Sequence, residues 1–384
     1  MKKKFLLLNL FILVSVITFA QWKPAGGKIK TKWAESINLE KVLPEYPRPI
    51  MERTDWVNLN GLWDYAILPV GQNEPNSFDG KILVPFAVES SLSGVQKEVG
   101  KNNELWYKRT FKVPANWKNK KILLHFGAVD WKTEIYLNDI KIGSHVGGYT
   151  PFSFDISPYL TANEQKLVVK VWDPTTDGYQ PVGKQHAKPH SIWYTPVTGI
   201  WQTVWLEPVN VKYISSVKTI PDIDANKLNI TIPTENTGYG DIVEVIVKDN
   251  GRQVAKAKGA VGQTLEIAID NPKLWSPESP MLYDLDVNLY SNGKLQDNVK
   301  SYTAMRKISA KRDGNGIVRL QLKNKDYFQF GPLDQGWWTD GLYTAPTDEA
   351  LAYDIKKTKD FGFNMIRKHV KVEPARWYTH CDRI

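Results

Sequence analysis

From Leu43 to Ile308 the chain repeats one pattern: short runs in which apolar and polar residues alternate, broken about every ten residues by Gly, Pro, Asn or Asp. Leu105, Tyr107, Phe111 and Val113 alternate with Trp106, Lys108, Thr110 and Lys112. Ile135 and Leu137 alternate with Glu134 and Tyr136 ahead of an Asn138-Asp139 turn, with Ile140 and Ile142 beyond it. A period of two puts successive side chains on opposite faces of a strand, so such runs bury one face and wet the other. No stretch here has helical periodicity. Antiparallel sheets packed face to face are the expected result, and two units divide the region. Residues 43–208 suit a jelly-roll better than a seven-stranded sandwich. Residues 209–308, about a hundred with hairpin turns at Asp249-Asn250-Gly251 and Ser291-Asn292-Gly293, suit an immunoglobulin-like sandwich.

The pattern changes at about Leu320. Tyr327-Phe328-Gln329-Phe330-Gly331 reads as a short buried strand, and Asp334, Trp337, Trp338 and Asp340 occupy the loop after it. Thr347 then stands where a helix N-cap belongs, with Asp348 and Glu349 in the first turn opposing the positive helix end. Gly362 should stop that helix. Phe363-Asn364-Met365-Ile366-Arg367 reads as the next buried strand, and Pro374 opens a second helix. Strand–helix–strand–helix order predicts a parallel sheet, and residues 309–384 are expected to be the first two βα units of an incomplete (β/α)8 barrel. The fold class is therefore mainly β. Two unfinished units leave Phe328, Phe330, Met365 and Ile366 uncovered, so the segment is expected to be mobile, held at most by Trp337 and Trp338 against the second sandwich.

Met1 and three lysines precede an apolar run from Phe5 to Phe19 that closes on Ala20, the layout of a signal peptide over residues 1–20. Export to the periplasm or beyond is the expectation, with no membrane association once the signal is removed. Residues 21–42 are polar, basic and Gly-rich and read as an extended lead-in, folded sequence starting near Leu43. Cys381 is the only cysteine, so no intrachain disulfide can form and stability must come from the cores. The formal charge of +9 is scattered rather than blocked, which argues against nucleic acid as a partner. Six histidines and one cysteine show no metal-ligand spacing, and no cofactor is expected.

Four stretches occur in order: Leu59-Asn60-Gly61-Leu62-Trp63, Trp106-Tyr107-Lys108-Arg109-Thr110-Phe111, Gly147-Gly148-Tyr149-Thr150-Pro151-Phe152-Ser153-Phe154-Asp155, and Gly199-Ile200-Trp201-Gln202-Thr203-Val204-Trp205-Leu206. Leu274-Trp275-Ser276-Pro277, Asn364-Met365-Ile366-Arg367 and Trp377-Tyr378 with Cys381-Asp382-Arg383 follow. On these motifs the chain resembles glycoside hydrolase family 2, the β-galactosidases and β-glucuronidases. The resemblance implies a jelly-roll sugar-binding (galactose-binding-like) domain, an immunoglobulin-like domain and the opening of a (β/α)8 catalytic barrel. It also implies hydrolysis of O-glycosyl bonds, with a β-glycoside as the partner of the full-length relative.

Carried over by position, the resemblance points to Arg367 as a residue facing the sugar. His369 follows it by two places where the family pattern has three, and Gly331-Pro332-Leu333-Asp334 replaces a common Asn-Arg-His run. Asp334, Trp337 and Trp338 complete the candidate substrate-binding set, the tryptophans because a pyranose packs its CH groups on an aromatic ring. No catalytic residue is assigned. A retaining glycosidase needs two carboxyl groups about 5 to 5.5 Å apart, and in this family both are glutamates on later barrel strands. After Leu320 the only glutamates are Glu349 and Glu373, neither in an Asn-Glu pair. The expected product is an N-terminal fragment of such an enzyme, inactive alone. A carbohydrate-binding sandwich protein without catalysis is the alternative.

Overall fold

The computed structural model describes residues 22–27 and 29–384; the expected signal peptide lies outside the described residues. The first sandwich faces a six-stranded sheet against a four-stranded one. The six strands run, edge to edge, Gly80–Val84, Gly61–Pro69, Asn103–Phe111, Gln165–Trp172, Lys132–Leu137 and Ile140–Val146; the four run Val57–Asn58, Val204–Val209, Lys121–Phe126 and Phe152–Asp155. Leu105, Tyr107 and Phe111 point into the shared core with Trp63, Leu124, Phe126, Ile135 and Val169. Trp63 is fully buried, and its indole N–H donates to the Leu59 carbonyl at 2.8 Å, so the large ring enters the core without stranding its polar atom. Trp106, on the side expected to be wet, is also buried, because Phe78 and Tyr136 cover it together with Ala66 and Val168. Asn138 and Asp139 turn the hairpin with φ of 50° and 68°, the left-handed pair that matches strand twist.

In the second sandwich Lys218–Asp222, Lys227–Thr231 and Thr264–Ala268 pack on Arg252–Ala260, Ile242–Asp249, Tyr283–Ser291 and Lys294–Thr303. Val243, Val245 and Val247 of one strand and Leu285, Val287 and Leu289 of the next fill its core, as their alternation requires. Residues 48–53 tie the sandwiches together. Glu52 exchanges backbone hydrogen bonds with Lys300, and Arg53 pairs with Asp297 while its Nε lies 3.3 Å from Glu207 of the first sandwich. Glu207 is wholly buried, and Arg48, Tyr46 and Trp205 also donate to it. Burial opposes its charge, but His125, Arg48 and the Tyr46 hydroxyl outweigh burial and hold the carboxyl far below its usual range.

Three expectations are corrected here. The ordered chain starts well before Leu43: Ala34 and Val42 are buried with Leu83, Phe86 and Leu92, and Ala25 N donates to Ser91 O at 2.8 Å. Second, a meander of Ile308–Arg312, Val318–Leu322 and Lys325–Asp326 occupies the point of transition, and neither Tyr327–Gly331 nor Phe363–Ile366 is a strand. Phe328 and Phe330 are exposed. The parallel pair is Leu333–Asp334 with Arg367–Lys368, further along the chain than the apolar runs suggest. The two segments already meet before the ladder, through Asn364, whose N–H donates to Phe330 O and whose side chain accepts from Phe330 N and donates to Phe328 O. At Gly331 a Cβ would stand 1.7 Å from the Met365 carbonyl oxygen, so only glycine fits there.

Third, residues 333–384 are docked on both sandwiches by many contacts rather than by two tryptophans against the second. Helix α1 (Asp348–Asp360) is capped by Thr347, whose hydroxyl accepts from Ala350 N at 3.1 Å, and Gly362 follows it with φ of 82°. Helix α2 (Ala375–Arg383) begins after Pro374. Arg376 forks onto Asp348 at 2.6 and 2.7 Å, joining the helices, and donates to Tyr46 O. Thr344 Oγ1 lies 2.6 Å from Trp201 O of the first sandwich. Arg306 and Tyr302 of the second bond Asp382, at 2.7 and 3.0 Å.

Candidate functional site

At the carboxyl ends of the two parallel strands, Asp334 and Lys368 stand side by side in register, and His369 N donates to Asp334 O at 2.9 Å. Lys368 Nζ lies 2.6 Å from Asp334 Oδ2 and 2.6 Å from Glu373 Oε1, above the ring of Trp377 at 4.3 Å. Burial works against the Lys368 charge, but Glu373 and Asp334 prevail and its pKa rises. Glu373 is buried, which pushes its carboxyl up despite the ammonium beside it. The two carboxylates are thus within roughly 5 Å of each other, near the spacing of a retaining glycosidase. The chemistry does not match, because an ammonium fills the gap where a sugar would have to enter. This is a buried ion triad that holds the loop after the second strand against the first.

Beside the triad lies an aromatic nest. Trp337 stacks on Tyr194 of the first sandwich, centroids 4.5 Å apart, and meets Tyr343 edge-on at 5.7 Å. Lys371 reaches over Tyr194 at 4.3 Å. Its burial, aided by Lys184 and Lys368, lowers its pKa to about 8. Tyr343 is held by Tyr149 OH at 2.9 Å and by Gln185 Nε2 at 3.3 Å; the same Gln185 amide donates to the buried Asp130 at 2.8 Å. Asp130 belongs to a buried acidic group with Glu89 and Asp173. Thr198 bridges the other two, its N–H on Glu89 and its hydroxyl on Asp173. Burial raises Glu89 to about 8 and Asp173 to about 6, and lifts Asp130 well above the ordinary value.

Of the five residues singled out from sequence, Asp334, Trp337, Arg367 and His369 gather at these strand ends. Arg367 is exposed and His369 half-buried, its pKa lowered by lost solvation and by Lys184, Arg367 and Lys371. Trp338 turns away, packing edge-on to Trp33 of the lead-in at 5.9 Å and into the core under α1. Sequence reasoning missed Lys368, Lys371, Lys184, Tyr194 and Tyr343. The first two flank His369 in the run Lys368-His369-Val370-Lys371 and were legible as cations at a strand end. Lys184 and Tyr194 come from a loop more than a hundred residues away, and no local pattern ties them to it. A cavity of 470 Å³ borders Asp334, Trp337, Glu373 and Trp377. A more apolar one of 310 Å³ lies behind, between Trp201 and Trp205 and the start of α2.

Two antiparallel sandwiches are followed by one short parallel ladder and two helices docked on both. Residues 84–206 match the sugar-binding domain of glycosyl hydrolases family 2, and residues 212–306 match a second domain of the same family, together more than half of the chain. The β-galactosidase of Thermoanaerobacter pseudethanolicus is 26% identical over 86% of this chain and 45% of its own length. A β-glucuronidase of Formosa agariphila is 26% identical over 71% of the chain and 30% of its own length. In fold, the chain is similar to a Bacteroides vulgatus β-glycosidase, with a TM-score of 0.70 at 23% identity over 86% of this chain and 43% of that one. Ruminococcus gnavus β-glucuronidase gives 0.72 at 18% identity over 89% and 60%. The chain belongs to glycosyl hydrolases family 2. It spans less than half the length of these two curated relatives.

Proposed function

We propose that residues 43–208 are a jelly-roll sugar-binding domain, 209–308 an immunoglobulin-like domain, and 309–384 the first two βα units of a (β/α)8 barrel, in an exported retaining β-glycosidase. The observation that carries this reading is the parallel pairing of Leu333–Asp334 with Arg367–Lys368 across α1, the repeating unit from which such barrels are built. Enzymes on that fold carry their sites at the carboxyl ends of the strands, where Asp334, Arg367, His369 and Trp337 gather. Substrate positioning falls to these residues and to the Tyr194 loop of the first sandwich. Acid–base and nucleophilic chemistry falls to two carboxylates outside residues 309–384, since Glu349 is exposed in the first turn of α1 and Glu373 is locked on Lys368.

The test is to compare this chain with a protein that continues into the downstream coding sequence, using chromogenic β-galactoside, β-glucuronide and β-mannoside. The 384-residue chain should match buffer, and the longer protein should turn over one of the three. Turnover by the shorter chain that Glu373→Gln abolishes would sink the assignment.

A further inference from the structure

After the strand Gln165–Trp172 the chain leaves the first sandwich, carries Lys184 and Tyr194 to the ends of the parallel strands, and returns at Gly199. Residues 174–198 form this strap, and Tyr179, Ile192 and Trp193 on it are exposed. Three buried carboxyls tie it down. Near its start Asp173 accepts from Thr175 N at 2.7 Å. In the middle Asp130 accepts from Gln185 Nε2 at 2.8 Å, and Gln185 Oε1 accepts in turn from Val197 N at 2.6 Å. At its end Thr198 donates its N–H to Glu89 at 2.9 Å and its hydroxyl to Asp173 at 3.2 Å. The closed strap has no slack. Gly183, with φ of 53°, lies so near Tyr149 and Tyr343 that a Cβ would stand 2.1 and 2.3 Å from their hydroxyls.

Among the described residues none of the three carboxyls has a cation partner, although each is at most 3% exposed, and Glu89 Oε1 has no hydrogen-bond partner at all. The groups that face them are one another and phenols: Tyr107 beside Glu89, and Tyr149 and Tyr343 beside Asp130. Lys371 lies over the far face of Tyr343 with Lys184 and His369 around it, and the strap's own His186 and His190 are exposed on the Lys188 carbonyl. Ionising the carboxyls puts like charges side by side in a dry pocket, a cost that water relieves once the strap lifts. We propose that residues 174–198 are a proton-latched strap, closed over Tyr149 and Tyr343 while Glu89, Asp130 and Asp173 hold protons and released as they give them up. The open strap returns the carboxyls to their ordinary proton affinity, so closure is favoured in acid and lost as pH rises towards about 8. Release takes one wall from the candidate site, because Tyr194 stacks on Trp337. Repulsion between Lys184 and Lys371 has the opposite sign, being strongest in acid. The latch stands apart from the glycosidase reading, since it operates whatever reaction the site serves.

Hydrogen exchange of the full chain at about pH 5.5 and about pH 7.5, each corrected for the chemical rate, tests it. Opening of residues 174–198 should increase between the two by about 10-fold or more beyond any change in the strands at 103–111 and 242–249. The Glu89→Gln/Asp130→Asn variant keeps acceptors for Thr198 N and Gln185 Nε2 but removes two of the three titrations, and in it the increase should shrink by about 3-fold or more. Glu89→Gln alone, the gentler change, should shrink it by about 2-fold or more. Exchange that slows as pH rises would assign the strap to the lysines and overturn the latch. So would an increase shared equally by those strands, or one of full size in either variant. None of these outcomes depends on turnover: a strap indifferent to pH refutes the latch and leaves the glycosidase reading standing.

Discussion

The first sandwich and the βα segment that follows the second solve the same problem by different means. In the sandwich, two sheets face each other and nearly every large apolar side chain, from Trp63 to Val204, is covered from both sides. The βα segment has one two-residue parallel ladder and two helices, and leaves Phe328, Phe330 and Phe361 in water. Its apolar cores are small, Leu342 and Tyr343 against Trp201 and Leu351, Ile355 and Trp377 under α1, and polar anchors add to them: Thr344 on Trp201, Arg376 on Asp348 and Tyr46, Asp382 on Tyr302 and Arg306, and Lys368 between two carboxylates. A large closed core distributes its free energy over many contacts, whereas a segment with small cores and polar anchors concentrates more of it in a few. The second kind is therefore the one that single substitutions can detach.

Trp63→Ala should produce the largest effect. Emptying a site of that size in a close-packed core costs about 3–5 kcal/mol, and chemical denaturation should show the first sandwich losing that much. A loss under about 1 kcal/mol would mean that its core is less continuous than its packing implies. Lys368→Met should cost about 3 kcal/mol, since Glu373 is left buried without its partner, but the loss should be local. Hydrogen exchange should accelerate in residues 333–384 while the strands at 61–69 and 103–111 keep their protection. Uniform acceleration in all three would erase the distinction drawn between core and anchor.

The smallest effect expected is a pH dependence within the first sandwich. Glu89 has its pKa raised by burial to about 8 from an ordinary 4.5, so the folded state binds a proton that the unfolded state releases. Its contribution is fully present below the unfolded value and is lost as pH rises towards about 8, with Asp173 and Asp130 titrating in the same direction. Glu207 has the opposite sign, its pKa depressed, so its contribution is lost as pH falls below the ordinary carboxylate range. Glu89→Gln keeps an acceptor for Thr198 N and removes one titration. The decline in stability from about pH 5 to about pH 8 should become shallower by about 1 kcal/mol or more, measured by denaturant melts across that range. An unchanged slope would show that Glu89 is charged in the folded protein at neutral pH.

The sequence by itself determined what depends on neighbours along the chain. Period-two alternation placed Leu105, Tyr107 and Phe111 on one face, Asn-Asp and Asn-Gly pairs located hairpins, and Thr347, Gly362 and Pro374 bracketed two helices, because strand pleat, turn φ and helix ends are local properties. The order of those elements carried the parallel pair with its crossover helix. Tertiary structure decided which apolar runs were strands. Phe328 and Phe330 look like buried strand residues in a window of five, yet they are exposed and lie outside the ladder, their backbone bound instead by the side chain and N–H of Asn364. It also turned Trp337 and Trp338, adjacent in sequence, to opposite cores. And it brought Lys184 and Tyr194 to Arg367 and Lys371 across nearly two hundred residues, a meeting set by how one sandwich packs on the strands beyond the other, which no local periodicity encodes.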